Sequence, residues 1–450
     1  MIHMWCTRLI RIIVLSSSWV CFLDQLGRSL SRARILAFCR LTFSMSNDAL
    51  IHAVGRCPSC LSRRDAISFI AHVKRHVNYS GPFSTLPRRY LRQLDYSTRS
   101  VPGRILLKME LSSFNRPTYR NPGTCYARTL LLDDNTFLAT WENHGSEPVY
   151  FPIFRSTDGG NNWQEYSRVE DTVNRWGLRY QPTLYKLPRR VGNFPAGTIL
   201  AAGDAVPPDS SRTKIEIYAS TDQAKTWKYV STVAEGGRSF PTNGETPVWE
   251  PFFLDYNGQI VCYHTDQRDP KHGQKLVHSL SRDLISWSQA VNDVAYDTYD
   301  WRPGMTTVAK LQSGDYIMTY EFFGAREVAF AVYYRVSNDP LNFNAAEGRV
   351  LRATDGTVPT SSSYIVWTPV GGSSGTIVVS AGDFSELFTN TSPDASGPWV
   401  KIQISEPKSY SCSLTVLRDP SKILVVGGGP LKGKAGSNRV TGSVITIGGS

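Results

Sequence analysis

Ser156-Thr-Asp158-Gly-Gly160-Asn-Asn-Trp163 is the stretch that decides the fold. It reads Ser-x-Asp-x-Gly-x-x-Trp, and the pattern returns along the chain. Ser220-Thr-Asp222-Gln-Ala224-Lys-Thr-Trp227 carries Ala for Gly, and Ser392-Pro-Asp394-Ala-Ser396-Gly-Pro-Trp399 carries Ser for Gly. Two copies between them, Ser281-Arg-Asp283…Trp287 and Ser337-Asn-Asp339…Phe343, are one residue shorter. Successive starts are 64, 61, 56 and 55 residues apart, the near-constant period of a repeat architecture. Physically the motif is a turn between two strands. The Asp carboxylate and the Ser hydroxyl can accept bonds from loop N–H groups, Gly permits positive φ, and the Trp plugs between sheets. That is structural work, so Asp158, Asp222, Asp283, Asp339 and Asp394 are assigned no catalytic role.

The motif resembles the Asp-box repeat of bacterial neuraminidases. Around each copy the chain reads as four short strands. In the second unit these are Gln181-Pro-Thr-Leu-Tyr-Lys, Gly197-Thr-Ile-Leu-Ala-Ala-Gly, Lys214-Ile-Glu-Ile-Tyr-Ala-Ser and Trp227-Lys-Tyr-Val-Ser. β-Branched and aromatic residues fill them, with Gly or Pro at the breaks. Comparable units begin near Cys125, Gln181, Trp249, Arg302, Ser363 and Ser411. Six four-stranded units predict an all-β, six-bladed β-propeller over residues 99–450. An early strand, Arg104-Ile-Leu-Leu-Lys-Met-Glu, is expected to complete the sixth unit and close the ring.

The 450 residues are 41% hydrophobic, with 11 Trp, 21 Tyr and 19 Phe, which excludes wholesale disorder. No apolar run is long enough to span a bilayer as a helix. The net charge of +11 invites a nucleic-acid reading, but its distribution argues against one. Residues 1–100 hold 15 Lys/Arg against four acids, whereas the remaining 350 hold 34 of each sign. Residues 1–98 are therefore set apart as an extension, expected to be poorly ordered except for a short helix over Arg64 to Val77. Arg8 and Arg11 precede an apolar stretch from Ile12 to Leu23, the order of a signal peptide, without a convincing cleavage site. An Arg-rich transit peptide and a misassigned gene start fit the same residues. Five of eight cysteines lie in the first 60 residues. The Cys57-Pro-Ser-Cys60 pair has no second pair to complete a metal site. Among Cys125, Cys262 and Cys412 one disulfide is possible and the sequence does not choose it.

In a propeller whose Asp-boxes sit at the turns between third and fourth strands, the opposite face collects the starts of inner strands and the ends of second strands. Polar residues interrupt the apolar pattern at those places. Arg128, Gln181, Glu250 and Arg302 lie near inner-strand starts; Glu142, Asp204, Asp266 and Glu321 lie at second-strand ends. Carboxylates, arginines and a glutamine converging on one funnel suit sugar binding and acid/base work. Two members stand out. Glu250, in Val248-Trp-Glu250-Pro-Phe-Phe253, sits among apolar residues that would raise its pKa. Glu321, in Tyr316-Ile-Met-Thr-Tyr320-Glu321-Phe-Phe323, ends an apolar and aromatic strand. Paired carboxylates ringed by aromatics are what glycoside hydrolysis needs.

Val248-Trp-Glu250-Pro-Phe…Cys262-Tyr-His-Thr-Asp266-Gln-Arg-Asp…His272-Gly-Gln-Lys-Leu-Val-His278…Arg302-Pro-Gly-Met-Thr-Thr-Val-Ala…Tyr320-Glu321 resembles the fungal glycoside hydrolase family 93. Its members are six-bladed exo-α-1,5-L-arabinanases that release arabinobiose from the non-reducing end of linear arabinan. The resemblance implies a retaining mechanism with Glu250 as acid/base and Glu321 as nucleophile, their carboxyls about 5–5.5 Å apart. Arg128, Glu142, Gln181, Asp204, Asp266, His272 and Arg302 would then bind substrate, with Trp176 or Tyr263 stacking on a sugar. No cofactor or catalytic metal is expected, and a structural Ca²⁺ at the axis is left open. The expected partner is an oligo- or polysaccharide, with no nucleic acid and no membrane, and the chain is expected to act as a secreted monomer. The first hundred residues have no counterpart in the family, whose members carry a short signal peptide. Two sequons, Asn78-Tyr-Ser80 and Asn390-Thr-Ser392, would matter in a secreted chain.

Two other readings compete. A sialidase shares propeller and boxes but needs three arginines around a carboxylate. Arg128 and Arg302 supply two, while Ser362, Ser363 and Ser411 stand where a third would be sought. A non-catalytic Asp-box propeller that binds glycan or protein would leave Glu250 and Glu321 without a purpose.

Overall fold

The computed structural model describes residues 109–110, 123–431 and 438–448. The first ninety-eight residues, with the expected helix and the sequon at Asn78, lie outside the described residues. What remains is six four-stranded antiparallel sheets. Blade one comprises β2 (Thr124–Leu131), β3 (Phe137–Asn143), β4 (Phe151–Ser156) and β5 (Gln164–Val169). Blade two comprises β6 (Leu178–Lys186), β7 (Ile199–Ala205), β8 (Thr213–Ser220) and β9 (Lys228–Gly236). Blade three comprises β10 (Val248–Tyr256), β11 (Gln259–Asp266), β12 (Lys275–Ser281) and β13 (Val291–Val294). Blade four comprises β14 (Arg302–Lys310), β15 (Tyr316–Phe323), β16 (Ala331–Ser337) and β17 (Arg349–Val350). Blade five comprises β18 (Tyr364–Thr368), β19 (Thr376–Ser380), β20 (Glu386–Asn390) and β21 (Val400–Gln403). Blade six takes β22 (Ser413–Val416), β23 (Lys422–Gly427) and β24 (Thr441–Thr446), with β1 (Met109–Glu110) as its outer strand. β1 pairs with β24 at Met109↔Ile445, so the beginning of the domain closes the last sheet, as the sequence led us to expect.

Composition follows position in the blade. The second strand β3, Phe-Leu-Ala-Thr-Trp-Glu-Asn, is buried at every residue because both of its faces are covered. The outer strand β5, Gln-Glu-Tyr-Ser-Arg-Val, is mostly polar and exposed, which protects a sheet edge. The core lies between neighbouring blades. Phe151, Ile153, Leu178, Ile199 and Tyr218 fill the space between blades one and two. Phe137, Trp141, Trp163, Leu424 and Val426 do the same between blades one and six, completing the circle.

The Asp-boxes fasten this ring. In the first, Asp158 Oδ1 accepts from the N–H groups of Asn161 (3.1 Å) and Asn162 (2.9 Å), and Ser156 Oγ accepts from Gly160 N (3.0 Å). Gly160 holds φ +91°, which explains glycine there. The tryptophans of the second and third boxes reach back to the preceding blade. Trp227 Nε1 donates to Ser167 Oγ (3.1 Å) and Trp287 Nε1 to Ser231 Oγ (3.0 Å). Those serines in turn donate to Ala224 O and Leu284 O of the same boxes. Cys125, Cys262 and Cys412 are buried free thiols, so none of the bridges left open by the sequence forms among them. The sequon at Asn390 lies in blade five. The Asn390 side chain is buried, donating to Gly397 O (2.8 Å) and accepting from the Ser392 N–H (2.9 Å), and offers no amide to a glycan.

Candidate active site

A single backbone device builds the site. In or just before each inner strand one non-glycine residue, or two in blade five, takes positive φ: Tyr126 (54°), Gln181 (52°), Glu250 (65°), Met305 (62°), Ser361 (69°) with Ser362 (31°), and Ser411 (54°). In blades one to four the ladder register slips at that point, the mark of a β-bulge. Four of these positive-φ residues turn an N–H toward a side chain of the preceding blade. Gln181 N donates to Glu142 Oε1 (3.0 Å), Met305 N to Glu250 Oε2 (2.6 Å), Ser362 N to Glu321 Oε2 (2.7 Å), and Ser411 N to Ser362 Oγ (2.8 Å). Backbone strain of this kind is retained where geometry is functional.

Glu250 and Glu321 share one pocket. A methyl group placed on Gly304 would lie 3.7 Å from Glu250 Oε2 and 3.6 Å from Glu321 Oε1, so these oxygens are separated by at most about 7.3 Å, the sum of the two. Their surroundings differ. Glu250 Oε2 also accepts from Thr265 Oγ1 (2.5 Å), and both Arg302 and Arg128 draw the carboxyl toward its charged form. Burial outweighs these donors and leaves its pKa above the usual value. Glu321 is half-buried. Burial pushes its pKa up to about 8, against the pull of the Ser362 N–H, and the negative charges of Glu250 and Asp383 add to the rise. Arg302 stands beside the pair, its guanidinium held by Gln274 Oε1 (2.7 Å), Asn243 Oδ1 (3.1 Å) and Gln267 Oε1 (3.2 Å).

The other predicted residues fall into three groups. Arg128, Glu142, Gln181 and Asp204 gather around the same mouth. Arg128 is buried between the rings of Tyr126 and Tyr364 and donates to Ser411 O (2.9 Å) and Ser411 Oγ (2.8 Å). Asp204 is completely enclosed, and neither of its oxygens has a partner among the described residues. Burial, then Glu250 and Glu142, hold its pKa well above the carboxylate range. A second group is committed to local structure. Both oxygens of Asp266 are taken by the Arg268 guanidinium (3.0 and 2.7 Å). His272 Nδ1 lies 2.8 Å from Tyr296 O. Trp176 is half-buried, with Lys214 Nζ 4.9 Å from its ring centroid. Tyr263 stands alone and corrects the sequence reading. It has no solvent exposure, packs with Val261, Leu276 and Tyr320, and donates its hydroxyl to Pro340 O (2.8 Å), so it cannot stack on a sugar.

Sequence reasoning missed the donors that distinguish the two glutamates: Thr265, and the N–H groups of Met305 and Ser362. It also missed Tyr126 and Tyr410, which line the mouth with ring centroids 6.2 Å apart. Backbone donors leave no trace in residue type, and none of the bulge residues is glycine. The one available hint was Gly304 in Arg302-Pro-Gly304-Met305, a glycine inside a strand, where bulges and close approaches concentrate.

A propeller mouth in which two carboxyls share one pocket beside an arginine is the layout of a glycosidase, and the chain is a glycoside hydrolase. It is similar over nearly the whole propeller to two solved fungal enzymes. One is the GH93 α-L-arabinofuranosidase of Fusarium graminearum in complex with arabinobiose, at 46% identity and a TM-score of 0.72, covering 76% of this chain and 98% of that one. The other is the α-L-arabinanase of Penicillium chrysogenum complexed with arabinobiose, with the same identity, coverage and TM-score. A protein of unknown function from Dyadobacter fermentans, 14% identical with a TM-score of 0.52 over 77% of this chain and all of that one, shares the fold alone. No protein-family model matches the chain, and no curated protein sequence does. This chain belongs to glycoside hydrolase family 93.

Proposed function

We propose that the chain is a secreted, exo-acting α-1,5-L-arabinanase that releases arabinobiose from linear arabinan with retention of configuration. The relatives held with arabinobiose support the substrate class. The observation that carries the mechanism is the unequal bonding of two carboxyls in one pocket. It reverses the roles first assigned to them. Glu250, with two hydrogen bonds on Oε2 and the charges of Arg302 and Arg128 nearby, is the group equipped to be an anion and to attack the anomeric carbon. Glu321 holds its proton at neutral pH and presents Oε1 to the same space, as a general acid must. After the aglycone leaves, Glu321 is the base that draws a proton from water for the second displacement. A separation of at most about 7.3 Å admits the about 5–5.5 Å of a double displacement.

The test is product analysis. Linear arabinan should yield arabinobiose from the start of the reaction, and sialyl-lactose should be untouched. A ladder of longer oligosaccharides at early times, or release of sialic acid, contradicts the proposal.

A further inference from the structure

The reading of Glu142 as a sugar-binding residue leaves its contacts with Cys125 and His144 to be explained. Cys125 Sγ, Glu142 Oε2 and His144 Nε2 all lie within 4.8 Å of one another. The thiol donates to Glu142 Oε2 at 2.9 Å, and the imidazole nitrogen is 3.1 Å from the same oxygen. The scaffold is rigid: Cys125 and Glu142 face each other across the β2–β3 ladder, and His144 follows one residue after β3. The other carboxylate oxygen of Glu142 takes the Gln181 N–H, which turns Oε2 toward the sulfur and the ring. Further oxygens nearby also lack partners. Among the described residues Gln181 Oε1 is buried without a donor, and Asp204, wholly enclosed, has a partner on neither oxygen; the charge of Glu142 acts on Asp204. Buried acceptors without donors ask for a partner, an ordered water or an ion.

We propose that Cys125, Glu142 and His144 form a binding site for Zn²⁺ or a like divalent transition ion beside the catalytic pair. One sulfur, one imidazole and one carboxylate oxygen make a borderline-soft donor set that suits Zn²⁺ or Co²⁺, not the all-oxygen shells of Ca²⁺ and Mg²⁺. Ligands of a tetrahedral Zn²⁺ stand about 3.3–3.7 Å apart, so the sulfur and the imidazole nitrogen each back away slightly from the Glu142 oxygen they share (2.9 and 3.1 Å) and settle within that distance of one another. Three protein ligands leave a fourth position for water. As the ion enters, the thiol proton departs to solvent and the sulfur binds as thiolate. The half-buried His144, with 27% of its side chain exposed, provides the way in. The His144 ring packs on Tyr180 (centroids 5.7 Å apart) and Tyr180 on Trp249 (6.2 Å), the neighbour of Glu250, so the ion occupies the mouth that the substrate must enter, and it inhibits hydrolysis.

The experiment is titration of the full chain with Co²⁺ in the absence of substrate. We expect a thiolate-to-cobalt band in the near ultraviolet that saturates at one equivalent beyond any ion bound by Cys57 and Cys60. It should survive in the Cys57→Ser/Cys60→Ser double variant and vanish in Cys125→Ser. His144→Ala, whose partly exposed ring is the safer substitution for folding, should weaken binding at least tenfold. Zn²⁺ should displace the cobalt and slow the parent enzyme without slowing the residual turnover of Cys125→Ser. A band that disappears with Cys57 and Cys60, that persists undiminished in both Cys125→Ser and His144→Ala, or that never forms at millimolar Co²⁺ overturns the proposal.

Discussion

Glu250 places Oε2 under Thr265 and the Met305 N–H, while Glu321 receives one N–H and looks toward Asp383. The difference makes the pH profile predictable. Glu321 must be protonated to deliver a proton to the leaving oxygen, so kcat/KM on arabinan should fall as pH rises through about 8. Glu250 must be ionised, so an acid limb should appear above the ordinary glutamate value near 4.5. Glu321→Gln should lower turnover by about 10²–10⁴-fold and remove the alkaline limb. A limb that stays at about 8 in that variant would assign it to another group. Gly304 makes a second case. A Cβ there would come 2.9 Å from Gln274 Nε2, which is held to Pro303 O, while the same side chain supports Arg302. Gly304→Ala is expected to lower kcat more than it raises KM, because it displaces Arg302 from beside the pair; steady-state kinetics on arabino-oligosaccharides will show whether it does. The roles of the glutamates were not legible from their neighbours in the chain. Apolar flanks suggested an acid at Glu250, but its two donors come from fifteen and fifty-five residues away.

At the level of the strand and turn, the boxes were legible because their chemistry is local: an Asp, a Ser and a Trp within eight residues make most of the bonds that define them. Second-strand ends were legible too, since Glu142, Asp204 and Glu321 interrupt otherwise apolar strands. The bulges were not, because Tyr126, Gln181, Glu250 and Met305 reach positive φ through tertiary packing and carry no intrinsic preference for it. Tyr263 was misread for a related reason. β11 is buried on both faces through Asp266, so alternation gives no sign of which side chains point to the channel. The boxes also yield a prediction. Trp287 ties blade three to Ser231 of blade two. Trp287→Phe should cost roughly 1–3 kcal/mol in urea unfolding while leaving kcat near its parent value. A loss of kcat without loss of stability would mean that the boxes do more than fasten blades.

Across the whole molecule, acids of two kinds set the dependence of stability on pH. Burial raises Glu321 to about 8, Glu216 to about 7 and Asp293 to about 6, and raises Glu250 and Asp204 as well. Such groups bind more protons folded than unfolded, so they disfavour the fold increasingly as pH climbs from about 4.5 through 8. The box residues Asp158, Asp222 and Asp283 are lowered by their turn hydrogen bonds, so their contribution is present above about pH 4 and is lost as pH falls through their folded values. Stability should therefore peak in mildly acidic solution, near pH 5, and thermal midpoints measured from pH 3 to 9 will test it; a midpoint that rises steadily to pH 8 would contradict the burial of these carboxyls. The charge map of the sequence separated this electrically balanced ring from the basic extension, and the repeat period gave its blade count. The meeting of two glutamates from adjacent blades is a property of the closed ring as a whole. Its most direct test is chemical rescue by azide on an aryl α-L-arabinobioside. Glu321→Ala should recover turnover with azide and form the α-arabinobiosyl azide, while Glu250→Gly should form the β-azide. The opposite pairing of variant and anomer, or failure of azide to rescue either variant while both remain folded, would contradict the account.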